Sequence, residues 1–114
     1  MDVPTLQAIL LAQLDDNPVW VKDIASLFLE TAPQMMAGIR AAIDGRDASA
    51  LERAAHRIKG TLGTFQALEA ARAAAALEDM AGAGDFAEAE ARYAELAAAL
   101  AQILEATRQL VASI

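Results

Sequence analysis

The sequence predicts an all-α protein, an antiparallel up-and-down four-helix bundle with a short additional N-terminal helix. Apolar residues recur at helical spacing along nearly the whole chain, and no segment shows the period-two alternation of a half-buried strand. The turns between the predicted helices are short, which forces consecutive helices to lie antiparallel. The 114 residues suffice for one domain, so we expect a single domain over residues 1–114.

The first two predicted helices are separated by a capping signal. A short helix, about Val3 to Leu14, ends at an Asp-Asp-Asn-Pro run, in which Asn17 can cap the next helix and proline can occupy its first position. We expect one helix over 18–44, kinked at Pro33, because its apolar stripe keeps its phase across the proline. A break into two helices, with Thr31 as the second cap, is the alternative. The stripe consists of Trp20, Ile24, Leu27, Phe28, Met35, Ile39 and Ile43.

The remaining three helices are delimited by capping residues and glycines. Asp47 can cap the third helix, and an Ala-rich fourth helix, about Ala67 to Ala81, is stopped by the glycines of segment 82–84. Asp85 with Glu88 three residues later has the pattern of a capping box for the last helix. The apolar seams are Leu51, Ala55, Ile58, Leu62 and Phe65 in the third helix and Phe86, Ala89, Tyr93, Leu96, Leu100, Ile103, Thr107 and Leu110 in the last.

The composition argues against several classes of partner and chemistry. The formal net charge is -7 and the sequence pI is about 4.5, whereas duplex nucleic acid and anionic membranes bind dense Lys and Arg. The absence of cysteine removes disulfides and thiolate metal sites. No signal peptide and no bilayer-spanning apolar run is apparent. We therefore expect a cytoplasmic monomer that binds neither nucleic acid nor membrane.

The only histidine, His56, is the natural candidate for chemistry near neutral pH. At about 100° per residue it lies about 140° from the seam of the third helix, so its ring is expected to face outward. Lys59, Gly60 and Gly63 share its face. Glycine inside a helix costs about 1 kcal/mol relative to alanine, so two glycines here favour a surface kept clear for another molecule. The alternative is an ordinary solvated face, with both glycines serving helix packing.

The charges are unevenly distributed along the chain. Between positions 40 and 72 the six bases and four acids give 6 − 4 = +2, and the remainder gives 3 − 12 = −9. A basic surface around an accessible imidazole suits a phosphoryl group or an acidic partner site. The six bases are Arg40, Arg46, Arg53, Arg57, Lys59 and Arg72.

The segment around His56 carries a family resemblance. The run Ala55-His56-Arg57-Ile58-Lys59-Gly60-Thr61, followed by Phe65 and Ala67, resembles the active-site helix of histidine-containing phosphotransfer (HPt) domains. The likeness extends over nearly the whole chain. Its flanking matches are Phe28-Leu29-Glu30 with Pro33, the turn Gly45-Arg46-Asp47, Leu77-Glu78 and Gly84-Asp85.

The resemblance implies a role for each matching residue. His56 matches the phosphoacceptor, phosphorylated on Nε2, and Lys59 matches the lysine that neutralises charge on the phosphoryl oxygens. Gly60 matches the glycine that keeps the ring accessible. Glu78 matches a Glu or Gln position that can hydrogen-bond Nδ1, which leaves Nε2 as the nucleophile.

The resemblance also implies the reaction and the partners. The reaction is reversible phosphoryl exchange between His56 and aspartates on receiver domains, those of a hybrid histidine kinase and of a response regulator. No cofactor is implied for this chain, because the receiver supplies Mg²⁺. We expect no autophosphorylation from ATP, since no Gly-rich phosphate loop or Walker motif is present.

Two positions depart from the family pattern. Gln66 stands where these domains usually have glycine, and Thr64 replaces a position that is commonly asparagine. Because the usual glycine lies near the end of the active-site helix, we expect the turn into the next helix to have a different geometry.

Two other functions stay open on the sequence. One is a helical adaptor that binds receiver or kinase domains without carrying phosphate. The other is a haem or metal bundle with His56 and one of four methionines as ligands, although ligands in such bundles project inward. For a phosphotransfer protein we expect the docking surface on the first two helices, including Leu6, Ile9 and Leu10.

Overall fold

A computed structural model describes all 114 residues, which form five helices and no strands. The helices are α1 (Val3–Gln13), α2 (Pro18–Asp44), α3 (Ala48–Thr64), α4 (Leu68–Gly82) and α5 (Ala89–Ser113). Helices α2, α3, α4 and α5 contact one another in chain order and α5 returns to α2, while α1 packs against α5 and α2. None of the five combines the length and apolar composition that crossing a membrane needs. The all-helical prediction is confirmed.

One hydrophobic core joins all five helices. Its largest aromatic contact is between Phe28 of α2 and Phe65 at the end of α3, whose ring centroids are 4.3 Å apart. Helix α1 contributes Leu6 and Leu10, both with no exposed surface. The prediction that these two leucines form part of a docking surface is therefore wrong, because they hold α1 against the bundle.

The predicted apolar stripe of α2 is confirmed at Phe28, Ile39 and Ile43, which are buried, but two of its other residues face outward. Trp20 and Leu27 are half exposed, whereas the positions next to them along the chain, Val21 and Phe28, are buried. Two alanines, Ala25 and Ala32, complete this inner face, and such small side chains let neighbouring helices approach. A pattern built on large apolar side chains misses them.

Helix α2 continues through Pro33, as predicted, and the alternative break is wrong. Thr31 lies within the helix and does not cap a new one, because its hydroxyl donates a 2.9 Å hydrogen bond to the carbonyl of Leu27 one turn earlier.

The predicted caps of α2 and α3 are confirmed. The side chain of Asn17 accepts hydrogen bonds from the first amides of α2, at 3.0 Å from Val19. Asp47 accepts a 3.0 Å hydrogen bond from the amide of Ala50. Each cap satisfies amides that have no partner inside the helix.

The predicted capping box of the last helix is wrong. The carboxylate of Asp85 accepts from the amide of Ala87, two residues later, which closes a local turn before the helix. Helix α5 begins at Ala89 without a side-chain cap. Glu88 instead forms an ion pair with Arg92.

The same type of turn ends each of the first four helices, beginning with the left-handed Asp15 after α1. Arg46, Gln66 and Gly84 follow α2, α3 and α4 with left-handed φ angles of 50°, 51° and 67°. After α3, the amide of Ala67 reaches back to the carbonyl of Leu62, the hydrogen bond typical of this turn. Gln66 thus adopts the conformation that favours glycine, so the glutamine is accommodated at the cost of backbone strain. The expected difference from the family's turn stays a prediction.

Replacing Gln66 by glycine should stabilise the protein. The Gln66→Gly variant removes a Cβ from a left-handed position, so its free energy of unfolding is expected to rise by about 1 kcal/mol. Urea denaturation of both proteins measures the change. The reverse control, Gly84→Ala, should lower the free energy of unfolding by a similar amount. A destabilised Gln66→Gly variant would show that the glutamine side chain stabilises this turn.

Candidate functional site

His56 lies on the exposed side of α3. Its neighbours Ala55 and Ile58 have no exposed surface and belong to the core, whereas 70% of the His56 side chain is accessible. The outward orientation follows from the helical wheel, as predicted. The imidazole is therefore within reach of a second protein.

Helix α4 approaches α3 closely beside this histidine. The pair makes the most extensive helix–helix contact in the molecule, and α4 supplies mainly alanines to it, including the fully buried Ala74. Gly82 marks how near the helices lie, since a Cβ there would come within 3.1 Å of the Glu52 carboxylate. Small side chains permit this close spacing of the helices. The close spacing brings Glu78 of α4 to the face of α3 that carries His56.

The carboxylate of Glu78 binds two groups of α3 at once. One oxygen, Oε2, lies 2.6 Å from Nδ1 of His56, and the other, Oε1, accepts a 2.5 Å hydrogen bond from Nζ of Lys59. Only 19% of the Glu78 side chain is exposed, against 36% for Lys59. The three residues thus form one ion-paired cluster, here called the Glu78 clamp.

The Glu78 clamp determines which ring nitrogen is free. The hydrogen bond from Lys59 lowers the pKa of the Glu78 carboxyl below its ordinary value of 4.5; partial burial opposes this shift, and the hydrogen bond with His56 adds to it. An ionised carboxylate can only accept hydrogen bonds, so Nδ1 of His56 must carry the hydrogen. In the neutral imidazole Nε2 then holds the lone pair, which makes it the nucleophilic atom.

Two exposed glycines on α3 leave this face open. A Cβ added at Gly60 or Gly63 would meet no atom within 4 Å, so neither glycine is required by packing inside the protein. Each lowers the stability of the helix relative to alanine. The alternative in which they serve packing within this chain is therefore wrong, and both glycines lie on an open surface.

The predicted basic surface is smaller than the sequence suggests. Arg40 forms a double hydrogen bond with Glu90 of α5, at 2.8 and 2.5 Å, and Arg46 lies 5.9 Å from the ring centroid of Phe86. Arg72 lines a groove between α4 and α5. Three of the six bases remain on α3, namely Arg53, Arg57 and Lys59.

The ion pair between Lys59 and Glu78 was not predicted from the sequence. His56 and Lys59 lie three positions apart on one helix face, so a single carboxylate on the adjacent helix can reach both. That spacing is a signal for the pair, but only the approach of α4 shows that the carboxylate belongs to Glu78.

The free energy of unfolding at acidic pH should reveal the contribution of the Glu78 clamp. The folded-state pKa of Glu78 is lowered, so its contribution to the free energy of unfolding is complete above its ordinary value of 4.5 and is lost as the pH falls through the lowered value. We expect the stability difference between the wild type and Glu78→Gln to shrink in this window. Urea denaturation across a pH series measures it, because all other carboxylates are common to both proteins. A difference that stays constant to the lowest pH would contradict the clamp.

The chain is similar to one known protein family over most of its length. A family model described as Hpt domain matches residues 23–109, which is more than half of the chain. Neither a search of curated proteins nor a search of solved structures found a significant match. The matched range contains His56, Lys59 and Glu78. The chain therefore belongs to the Hpt domain family, whose members act in histidine phosphotransfer in two-component signalling.

Proposed function

We propose that this protein carries a phosphoryl group on Nε2 of His56 and exchanges it with aspartates of receiver domains. One receiver belongs to a hybrid histidine kinase and the other to a response regulator. The observation that carries the proposal is the Glu78 clamp, which leaves Nε2 with a lone pair on an exposed ring. No other side chain of the molecule combines this nucleophilic character with this accessibility.

Phosphoryl transfer to His56 exchanges one bond to phosphorus for another. Nε2 of the neutral imidazole attacks the phosphorus of a receiver aspartyl phosphate, and a P–N bond forms as the P–O bond breaks. The receiver carboxylate leaves with the electron pair. Because Nδ1 keeps its hydrogen, the phosphorylated ring is positively charged. Glu78 faces that charge at 2.6 Å and stabilises it, and the reverse reaction uses the same contacts.

Lys59 supplies positive charge next to the reacting nitrogen. It lies one helical turn from His56 and is partly exposed, so its ammonium group can turn from Glu78 toward phosphoryl oxygens. Phosphoryl transfer depends on positioning and charge neutralisation, and the Mg²⁺ that completes this neutralisation belongs to the receiver. This chain supplies the nucleophile, one cation and a docking surface.

The docking surface proposed here lies on α2 and α3 and excludes Leu6 and Leu10. Leu27 is half exposed, and it shares a flank of α2 with Thr31 and Gln34, which line a cavity together with Arg57 of α3. The flank therefore extends from the exposed Leu27 to Arg57, the residue that follows His56 in the chain. A receiver seated on it covers the open glycine face.

We also propose how the helices are arranged, in which oligomeric state the protein acts and in which compartment. The contacts of α2 through α5 in a closed order, joined by short turns, support an antiparallel four-helix bundle with α1 as an addition. We propose that the protein acts as a cytoplasmic monomer with no cofactor of its own. The absence of cysteine suits a reducing compartment.

Removing the imidazole should abolish phosphoryl uptake. The His56→Gln variant is expected to keep its helical circular dichroism spectrum, because the side chain is exposed, and to take up no label from a phosphorylated receiver.

Lys59→Ala should slow transfer about tenfold without eliminating it, as expected for the loss of one partly solvated cation. The measurement is acid-labile, base-stable label on the protein.

Labelling of His56→Gln at the wild-type level would refute the assignment of the acceptor. Wild-type protein that binds receivers but takes up no label from any of them would identify a helical adaptor instead.

Adding a side chain at Gly60 should affect stability and phosphoryl transfer in opposite directions. Gly60→Ala is expected to raise the free energy of unfolding by about 0.5–1 kcal/mol and to slow transfer from a receiver, because the new methyl group projects from the open face that the receiver would cover. Labelling by phosphoramidate, a small donor, should change little. Urea denaturation and the two labelling rates measure these effects. Receiver-dependent transfer at the wild-type rate would show that Gly60 does not control access.

A further inference from the structure

A polar cavity lies between α2 and α3, on the side of α3 away from Glu78. Its volume is about 130 Å³, and it is lined by Thr31, Gln34, Met35, Gly38, Ala54 and Arg57. Sites for small molecules generally occupy roughly 300 Å³ or more. The cavity is therefore of a size for one side chain of a partner and not for a nucleotide.

Arg57 is the only charged residue of this cavity, and its charge is unpaired. The residue is exposed, and its guanidinium takes part in none of the ion pairs or side-chain hydrogen bonds of the molecule. A free guanidinium presents paired N–H donors that match a carboxylate.

The neighbours of Arg57 in the cavity also favour an anion. Gln34 offers amide N–H donors from α2, whereas the hydroxyl hydrogen of Thr31 is already donated to the carbonyl of Leu27. No carboxylate lines the space. Gly38 has no side chain, and a Cβ there would meet no atom within 4 Å, so the entrance stays open. The cavity thus has the donors and the charge for a carboxylate and lacks an internal one.

We propose that this cavity receives an acidic side chain of the docking receiver domain, with Arg57 as its ion-pairing residue and Gln34 as a hydrogen-bonding neighbour. The inference rests on the proposed function and adds a specificity site to it. A domain that binds Mg²⁺ beside an acceptor aspartate holds it through carboxylates, so the face of the proposed receiver that approaches His56 is acidic. Since Arg57 adjoins His56 along the chain, an acidic side chain held there orients the receiver as its aspartyl phosphate approaches Nε2.

A matched pair of arginine variants tests the proposal. Arg57→Gln and Arg72→Gln each remove one unpaired positive charge, but Arg72 lies in the groove between α4 and α5. With the receiver that gives the fastest transfer to wild-type protein, Arg57→Gln should lower kcat/KM about tenfold, mainly through KM, and weaken its dependence on salt. Arg72→Gln should stay within about twofold of the wild type, and Arg57→Lys should recover part of the loss. Equal losses for Arg57→Gln and Arg72→Gln would overturn the proposal.

A second variant fills the cavity from within. Gln34→Glu provides an internal carboxylate for Arg57, so it should slow receiver-dependent transfer without changing Arg57 itself. Gln34→Ala removes only a hydrogen-bonding side chain, and it should have the smaller effect. A Gln34→Glu variant that transfers as fast as wild type would overturn the proposal.

Labelling by phosphoramidate separates this proposal from the proposed function. This donor needs no docking, so Arg57→Gln and Gln34→Glu should be labelled on His56 at the wild-type rate. A loss of this labelling would mean that the variants damage the phosphorylation site, which contradicts a docking role. Wild-type protein labelled by neither donor would refute the proposed function itself.

Discussion

The shared carboxylate of Glu78 is the contact on which the functional face depends. It reaches Nδ1 of His56 and Nζ of Lys59 together because α4 presents alanines and a glycine to α3. Larger side chains at this interface would move the helix axes apart, and a glutamate side chain would no longer span the gap. The low aromatic content and the abundance of alanine thus contribute directly to the chemistry of the site.

Helix α3 divides its surface among four tasks. The core side holds Ala55 and Ile58, the side toward α4 carries the Glu78 clamp, and the side toward α2 carries Arg57 beside a polar cavity. The glycines form the fourth side, which is open. Because a helix rotates by about 100° per residue, four consecutive positions can face all these directions. One helix can therefore present the proposed nucleophile, the neighbouring cation and the proposed docking contact.

The sequence was most informative where one residue determines local geometry. Asn17 and Asp47 cap helices through their own side chains, and the glycines near position 84 mark a helix end. Predictions failed where local patterns competed with packing. Asp85 satisfies a nearer amide than a capping box requires. In α2, Trp20 and Leu27 lie half exposed, whereas two alanines that the apolar pattern left out are buried.

The sequence by itself determined the helical fold class, the outward direction of His56 and the residues that resemble the family motif, since these depend on helical periodicity and residue type. Tertiary structure decided which groups meet. The pairing of Lys59 with Glu78, the separation of Arg40 and Arg72 from the histidine, and the cavity beside Arg57 all depend on the spacing and rotation of neighbouring helices. Those quantities arise from the fit of whole helix surfaces, which no local pattern of residues specifies.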